Sequence, residues 1–390
     1  MKKSLLALAV LGAFAGAAQA QSSVTIYGII DTGVVYQSKV ATATGGTGSK
    51  FSVNSGVIQG SRIGFKGAED LGGGLSAVFN LEAGFSNDTG ALDDSKTSNT
   101  LFRRKSVVGL AGNFGTVLLG RQTDFADTIS AYTSVKDFGG WTSNSGSGLD
   151  RLQGTRTNNS VSYTTANLNG FTGNLMYGFG ETAGQTSAGQ AFGIGGKYDN
   201  GPLGLGINYY QSKAGTTPAD TSLLAATGTN QYTNGNSTGS SAQKVLNVAA
   251  SYQFGPARVY GNYSRVKQDL NTQANLTAAG VGSLSTLSNR TLAASKKADI
   301  YEIGTAYSLT PSLNLLAAVD HTRADFDGVP NKAKLTQVSL GTDYWLSKRT
   351  DLYALLAYTK ASDLANPGVS NSSGTDGNQG AVAVGIRHKF

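Results

Sequence analysis

The sequence predicts an all-β fold, a transmembrane antiparallel β-barrel of about sixteen strands. Three observations predict it. The chain opens with an export signature, its body alternates polar and apolar residues with a period of two, and its connections alternate between short and long.

Lys2 and Lys3 form a basic start, Leu5 to Ala18 is an apolar run, and Ala18-Gln19-Ala20 supplies the small-x-small pattern of a cleavage site. Residues 1–20 therefore read as a signal peptide and residues 21–390 as the barrel. Removing Lys2 and Lys3 from the 31 basic residues leaves 29 against 24 acidic ones, a mild and scattered excess. No basic run marks a nucleic-acid tract. The absence of cysteine excludes a disulfide framework, thiolate metal sites and a cysteine nucleophile. Glycine, at 53 of 390 residues, far exceeds the usual share of about 7%. With 17 Tyr and 15 Phe beside a hydrophobic fraction of only 39%, the composition suits a protein with a wet interior.

Strand signals recur at the length of about ten residues that a tilted strand needs to cross a bilayer. Tyr301, Ile303, Thr305 and Tyr307 alternate with Glu302, Gly304, Ala306 and Ser308. Leu203, Leu205, Ile207 and Tyr209 alternate with Gly204, Gly206, Asn208 and Tyr210. Strands are predicted to start near residues 23, 57, 74, 101, 115, 158, 171, 191, 203, 243, 257, 298, 313, 334, 351 and 380. Short turns such as Asp199-Asn200-Gly201-Pro202 and Phe254-Gly255-Pro256 carry the Gly, Asn and Pro that tight turns need. Between them lie polar stretches read as long loops: 37–55, 87–100, 123–155, 214–242, 268–297 and 361–379. Because hydrocarbon offers no partner to a free N–H or C=O, such a sheet must close on itself. Phe114, Phe171, Tyr198, Phe254, Tyr307, Tyr344, Trp345 and Phe390 lie beside the short turns, as an interfacial aromatic girdle would.

Four stretches carry a family resemblance. Val24-Thr25-Ile26-Tyr27-Gly28 resembles the first strand of Gram-negative general diffusion porins, and Val382 to Phe390 resembles their last strand with its terminal aromatic. Ser61-Arg62-Ile63-Gly64-Phe65-Lys66-Gly67 and Gly120-Arg121-Gln122 resemble internal strands of the same family. The likeness spans the mature chain and is nearest to the trimeric outer-membrane porins of β-proteobacteria. It implies a water-filled channel for passive diffusion of small hydrophilic solutes, with outer-membrane lipid and lipopolysaccharide around a homotrimer. It also implies that the barrel-assembly machinery reads Phe390 during biogenesis, and it calls for no cofactor.

The resemblance further implies a constriction. Lys136-Asp137-Phe138-Gly139-Gly140 resembles the tip of the family's inward third loop, with Asp137 in an acidic position, and Asp124 and Asp127 precede it on the same loop. The facing wall would carry Arg62, Lys66 and Arg104, with Arg156 and Arg151 competing for a further position. Ile29 stands where some relatives have a lysine. Opposed charges across low-dielectric walls focus a field that orders polar solutes and sets ion preference.

Other readings are weaker. Asp137-Phe138-Gly139 lacks the companion motifs of a kinase. Asp325-Phe326-Asp327-Gly328 lacks the remaining spaced acids of a calcium loop. His321 and His388 have no partners that make a zinc or hydrolase site. A substrate-specific channel, and a secreted β-rich adhesin without a pore, are the alternatives to a general pore.

Overall fold

The computed structural model describes residues 23–92, 101–141, 154, 156–181, 183–184, 186–187, 189–213, 243–269, 272–278, 282–365, 368–369 and 374–390. Residues 1–20, read above as the export segment, and Arg151 lie outside the described residues.

Alternating side chains make the wall. Its strand segments are β1 (Ser23–Ala41), β2 (Thr47–Ser55), β3 (Arg62–Gly72), β4 (Leu75–Gly84), β5 (Lys105–Gly112), β6 (Gly115–Thr123), β7 (Arg156–Thr164) and β8 (Phe171–Gly178). They continue as β9 (Ala191–Asn200), β10 (Leu203–Ser212), β11 (Gln243–Phe254), β12 (Ala257–Gln268) and β13 (Lys297–Thr310). The last four are β14 (Leu313–Asp325), β15 (Ala333–Trp345), β16 (Thr350–Ser362) and β17 (Asn378–Lys389). Neighbouring strands pair antiparallel around the wall, and β1 pairs with β17, so the sheet closes. One half of β1 pairs with β3 and the other with β2. Those two segments are therefore one interrupted wall strand, and seventeen segments make sixteen strands.

Closure leaves apolar side chains outside and polar ones inside. Val34, Val53, Ile303 and Val384 are each more than half exposed, while Asn208, Asn247, Ser264, Asp320 and Gln337 are buried on the opposite face. This inverted pattern is what a lipid-facing wall around a wet lumen requires. Among the described residues no helix is long and apolar enough to cross a membrane; the strands are the crossing elements.

Two sequence expectations change. The polar stretch 37–55 reads as a loop, yet β1 runs to Ala41 and pairs with β2, whose Phe51 and Val53 point outward. The serines and lysine around those two apolar residues mask the alternation. Trp345 also leaves the expected girdle. Its ring lies 5.1 Å from Lys389 Nζ and 5.7 Å from the Arg387 guanidinium. It lines an inner cavity with both, while its neighbour Tyr344 is exposed.

The interruption of the second wall strand is held by one carboxylate. Asp31, fully buried, accepts from Ile58 N at 2.8 Å and Gln59 N at 2.6 Å through Oδ2. Tyr353 Oη donates to its Oδ1 at 2.6 Å. The freed amides of residues 58 and 59 thus find an acceptor where the ladder cannot supply one.

Candidate pore constriction

The third loop leaves β6 and turns inward through α1 (Ala126–Ile129), a 3-10 turn (Ser130–Tyr132), α2 (Val135–Phe138) and a second 3-10 turn (Gly139–Trp141). Its seat on the wall needs missing side chains. A Cβ on Gly206 would stand 2.5 Å from Ile129 Cγ2, and one on Gly204 would stand 2.5 Å from the Tyr132 ring. Part of the glycine excess is therefore room for this loop.

Polar anchors fix the loop along its length. Tyr132 Oη donates to Asp199 Oδ1 at 2.6 Å. Ser134 N donates to Glu302 Oε1 at 2.9 Å, and the Ser134 hydroxyl donates to the other oxygen of the same carboxylate. Gln337 Nε2 donates to Trp141 O at 2.8 Å. Phe138 and Trp141, both fully buried, pack with Val57, Ile58, Leu316, Tyr353 and Leu355. The described part of the loop thus sweeps along β9, β10, β13 and β15 to the interrupted strand, opposite the wall of β3 to β7.

That facing wall is basic. Arg104 Nε donates to Glu82 Oε1 at 2.7 Å, and Arg62 Nη1 lies 3.9 Å from the same oxygen. Tyr27 Oη lies 3.0 Å from Glu82 Oε2. Glu82, to which no sequence motif points, so braces two cations that would otherwise repel. Arg156 is half-buried within the same cluster, in the field of Arg103, Arg104 and Arg121. Arg121 donates to Asn158 Oδ1, and to Arg103 O at 2.5 Å. Lys66 lies 5.3 Å from the Tyr27 ring and lines an open groove of about 380 Å³ with Lys105 and Asn80.

The loop acids separate into three environments. Asp127 is exposed and interacts electrostatically with both Arg62 and Arg156. Asp124 is buried, accepting from Asn208 Nδ2 at 3.2 Å. Asp137 does not face Arg62 and Arg104, contrary to the expectation from the loop motif. Its Oδ2 lies 2.5 Å from Arg258 Nη2 on β12. Burial pushes the Asp137 carboxyl above the ordinary carboxylate range, against the opposing pull of Arg258 and Lys136. Burial and Arg258 together hold the Lys136 ammonium below its usual range. Lys136, Asp137 and Arg258 border a cavity of about 360 Å³ with Asp343, Arg387 and Lys389. Alternation along β12 places Arg258 on the inner face with Tyr260 and Asn262, so its inward direction is readable from sequence; its partner is not.

Phe390 closes the ladder. Its N donates to Gly28 O at 3.1 Å, and Gly28 N donates to Phe390 O at 3.1 Å. The Phe390 ring occupies the space a Cβ on Gly28 would need. Among the described residues no group of three or more His, Asp or Glu is arranged to hold a metal ion.

Comparison with known proteins agrees with this architecture. A family model described as Gram-negative porin matches residues 7–364. Outer membrane porin protein 32 of Delftia acidovorans is 34% identical over the whole of both chains. An outer membrane porin protein of Bordetella pertussis is 33% identical, again over the whole of both. The solved anion-selective porin from Comamonas acidovorans superposes with a TM-score of 0.69 at 28% identity, covering 95% of this chain and 100% of that one. The trimer form of OmpT from Vibrio cholerae shares the fold with a TM-score of 0.61 at 14% identity, covering 95% of this chain and 99% of that one.

Proposed function

Since this chain belongs to the Gram-negative porin family and forms a channel in the outer membrane, we propose that its selectivity arises where the third loop faces the arginine wall. One observation carries this reading. Arg62 and Arg104 share Glu82 on the facing wall, and the exposed Asp127 on the loop interacts electrostatically with Arg62. Lys66 and Arg156 extend the basic side, while Asp124 and Asp137 act chiefly as anchors of the loop. A hydrated solute crossing here meets a transverse field between low-dielectric walls, which orients polar molecules and penalises apolar ones. Permeation needs no chemical step, and the relatives are channels rather than enzymes.

The basic wall supports a preference for anions. The Comamonas acidovorans porin, described as anion-selective, is consistent with it. The working form is a homotrimer, as the resemblance to trimeric porins implies, bounded by lipid and lipopolysaccharide. Residues 1–20 act as a cleaved signal peptide, and Phe390 is the residue read by the barrel-assembly machinery. Planar-bilayer recording of the purified protein tests the pore. Discrete conductance steps with a reversal potential on the anion side are expected in a salt gradient. Their absence overturns the reading, and current saturation by a single solute replaces it with a substrate-specific channel.

A further inference from the structure

A water-filled bore should not carry an apolar inner surface, yet this one does at the long-connection end. Tyr210, Val245, Val266, Ala298, Ile300, Ala324 and Leu335, on β10 to β15, alternate inward and are buried. Their occupant is the long connection between β12 and β13. Its helix α3 (Gln273–Ala278) and the two 3-10 turns Leu287–Asn289 and Leu292–Ala294 bring Leu276 and Leu284, both fully buried, and Leu292, 2% exposed, onto that surface.

Polar contacts hold the segment at both ends. Gln273 N donates to Asp327 Oδ2 at 3.0 Å, and Lys296 Nζ lies 3.0 Å from Asp327 Oδ1. Arg290 Nε donates to Leu284 O at 2.6 Å, its Nη2 donates to Ser285 O at 3.0 Å, and its Nη1 lies 3.9 Å from Asp363 Oδ1. Ala365 N donates to Arg290 O at 2.8 Å. The third loop covers the middle of the same side of the wall, so two loops are stacked over one half of the bore.

We infer that residues 272–278 and 282–294 form a fixed lining of the bore, and that Leu276, Leu284 and Leu292 are specificity-determining residues because they keep solutes against the arginine wall. The inference rests on the channel reading and goes beyond its constriction. The three leucines touch no solute. They act by removing the aqueous path on the side remote from Arg62, Arg104 and Arg156. At 0.1 M salt an ion passing more than about 10 Å from those arginines is largely screened from them.

The test is the double variant Leu276→Asp and Leu284→Asp in the full-length protein, recorded in planar bilayers beside the wild type. Carboxylates cannot stay on the apolar wall, so the segment should leave it. Conductance is expected to rise, larger polyethylene glycols should enter, and anion-over-cation permeability should fall by about half as current escapes the screening distance. Where the double variant fails to assemble, Arg290→Ala serves instead. It cuts the contacts to Leu284, Ser285 and Asp363 without placing charge on the wall, and the same changes are expected. Assembled variants with wild-type conductance and selectivity overturn the inference. A wild type that does not conduct overturns the channel reading instead, so the two failures are distinguishable.

Discussion

Asp137 and Arg258 meet at 2.5 Å across the inner face of the barrel, 121 positions apart in sequence. Both side chains are nearly buried, so each charge depends on the other. Breaking a buried pair from one side leaves an uncompensated charge and costs about 3–5 kcal/mol. Arg258→Leu is therefore expected to destabilise the assembled barrel by about 3 kcal/mol, read as a lower denaturation temperature. The combined Asp137→Asn and Arg258→Leu variant should recover most of the loss. A double variant no better than the single one would show that the pair does not act as a unit.

Selectivity should answer most strongly on the other wall. A unit charge about 6 Å from a passing ion in water is worth about 0.7 kcal/mol, close to a threefold change in relative permeability. Arg62→Gln and Arg104→Gln are each expected to move the reversal potential toward cations by about that factor. Glu82→Gln should move it toward anions. If all three leave the potential where it was, the assignment of this wall to the constriction is wrong.

Acidification should have a visible effect through Asp137. Its carboxyl titrates above the ordinary carboxylate range because burial outweighs the attraction of Arg258 and Lys136; Tyr260 and Glu302 also act on or near it. Lowering the pH through that raised range removes a negative charge, so selectivity moves toward anions on the acidic side and returns on the basic side. Reversal potentials recorded across pH for wild type and Asp137→Asn check this. The variant should lose the step that begins above the ordinary carboxylate range.

The loop seat is also testable by volume. Gly206→Val places methyl groups where Ile129 now lies. Overpacking of this kind costs about 1–3 kcal/mol, and the strain is relieved by lifting α1 off β10. Noisier single-channel current and faster protease cleavage within the third loop are expected.

The terminal aromatic has two separable duties. If the Phe390 ring needs Gly28 as its seat, Gly28→Val should weaken the closed barrel on a heat-modifiability gel while leaving the exported amount nearly unchanged. Deleting Phe390 should lower the amount assembled in the outer membrane as well. Equal effects from both changes would place the whole role of Phe390 in packing.

The wall is legible in the sequence because its rules are local. Fourteen of the strand starts read from alternation and turn residues lie within two positions of the observed ones, as at Phe171, Ala191, Leu203, Gln243 and Leu313. The start near 101 falls four residues early, because Phe102, Arg103 and Arg104 precede the ladder that begins at Lys105. The start near 57 falls in the interruption, whose cause is the distant Asp31 and its partner Tyr353. Side-chain pairing inside the lumen is not legible in the same way. Periodicity shows that Arg258 and Glu302 point inward, but not that Asp137 and Ser134 arrive there on a loop. The leucines of the β12–β13 connection look like residues of a polar loop because their partners are spread over β10 to β15.

The seam between β1 and β17 has a consequence for how the molecule folds. Almost every other pairing in the wall joins neighbours along the chain, whereas Ile29 meets Lys389 and Gln37 meets Ala381. Hairpins can therefore form in succession at little entropic cost, and nearly all the long-range contact order is concentrated in one ladder. That ladder cannot form until the last strand has been made. The rate of barrel formation should then depend on residues at the two ends of the chain far more than on those between them.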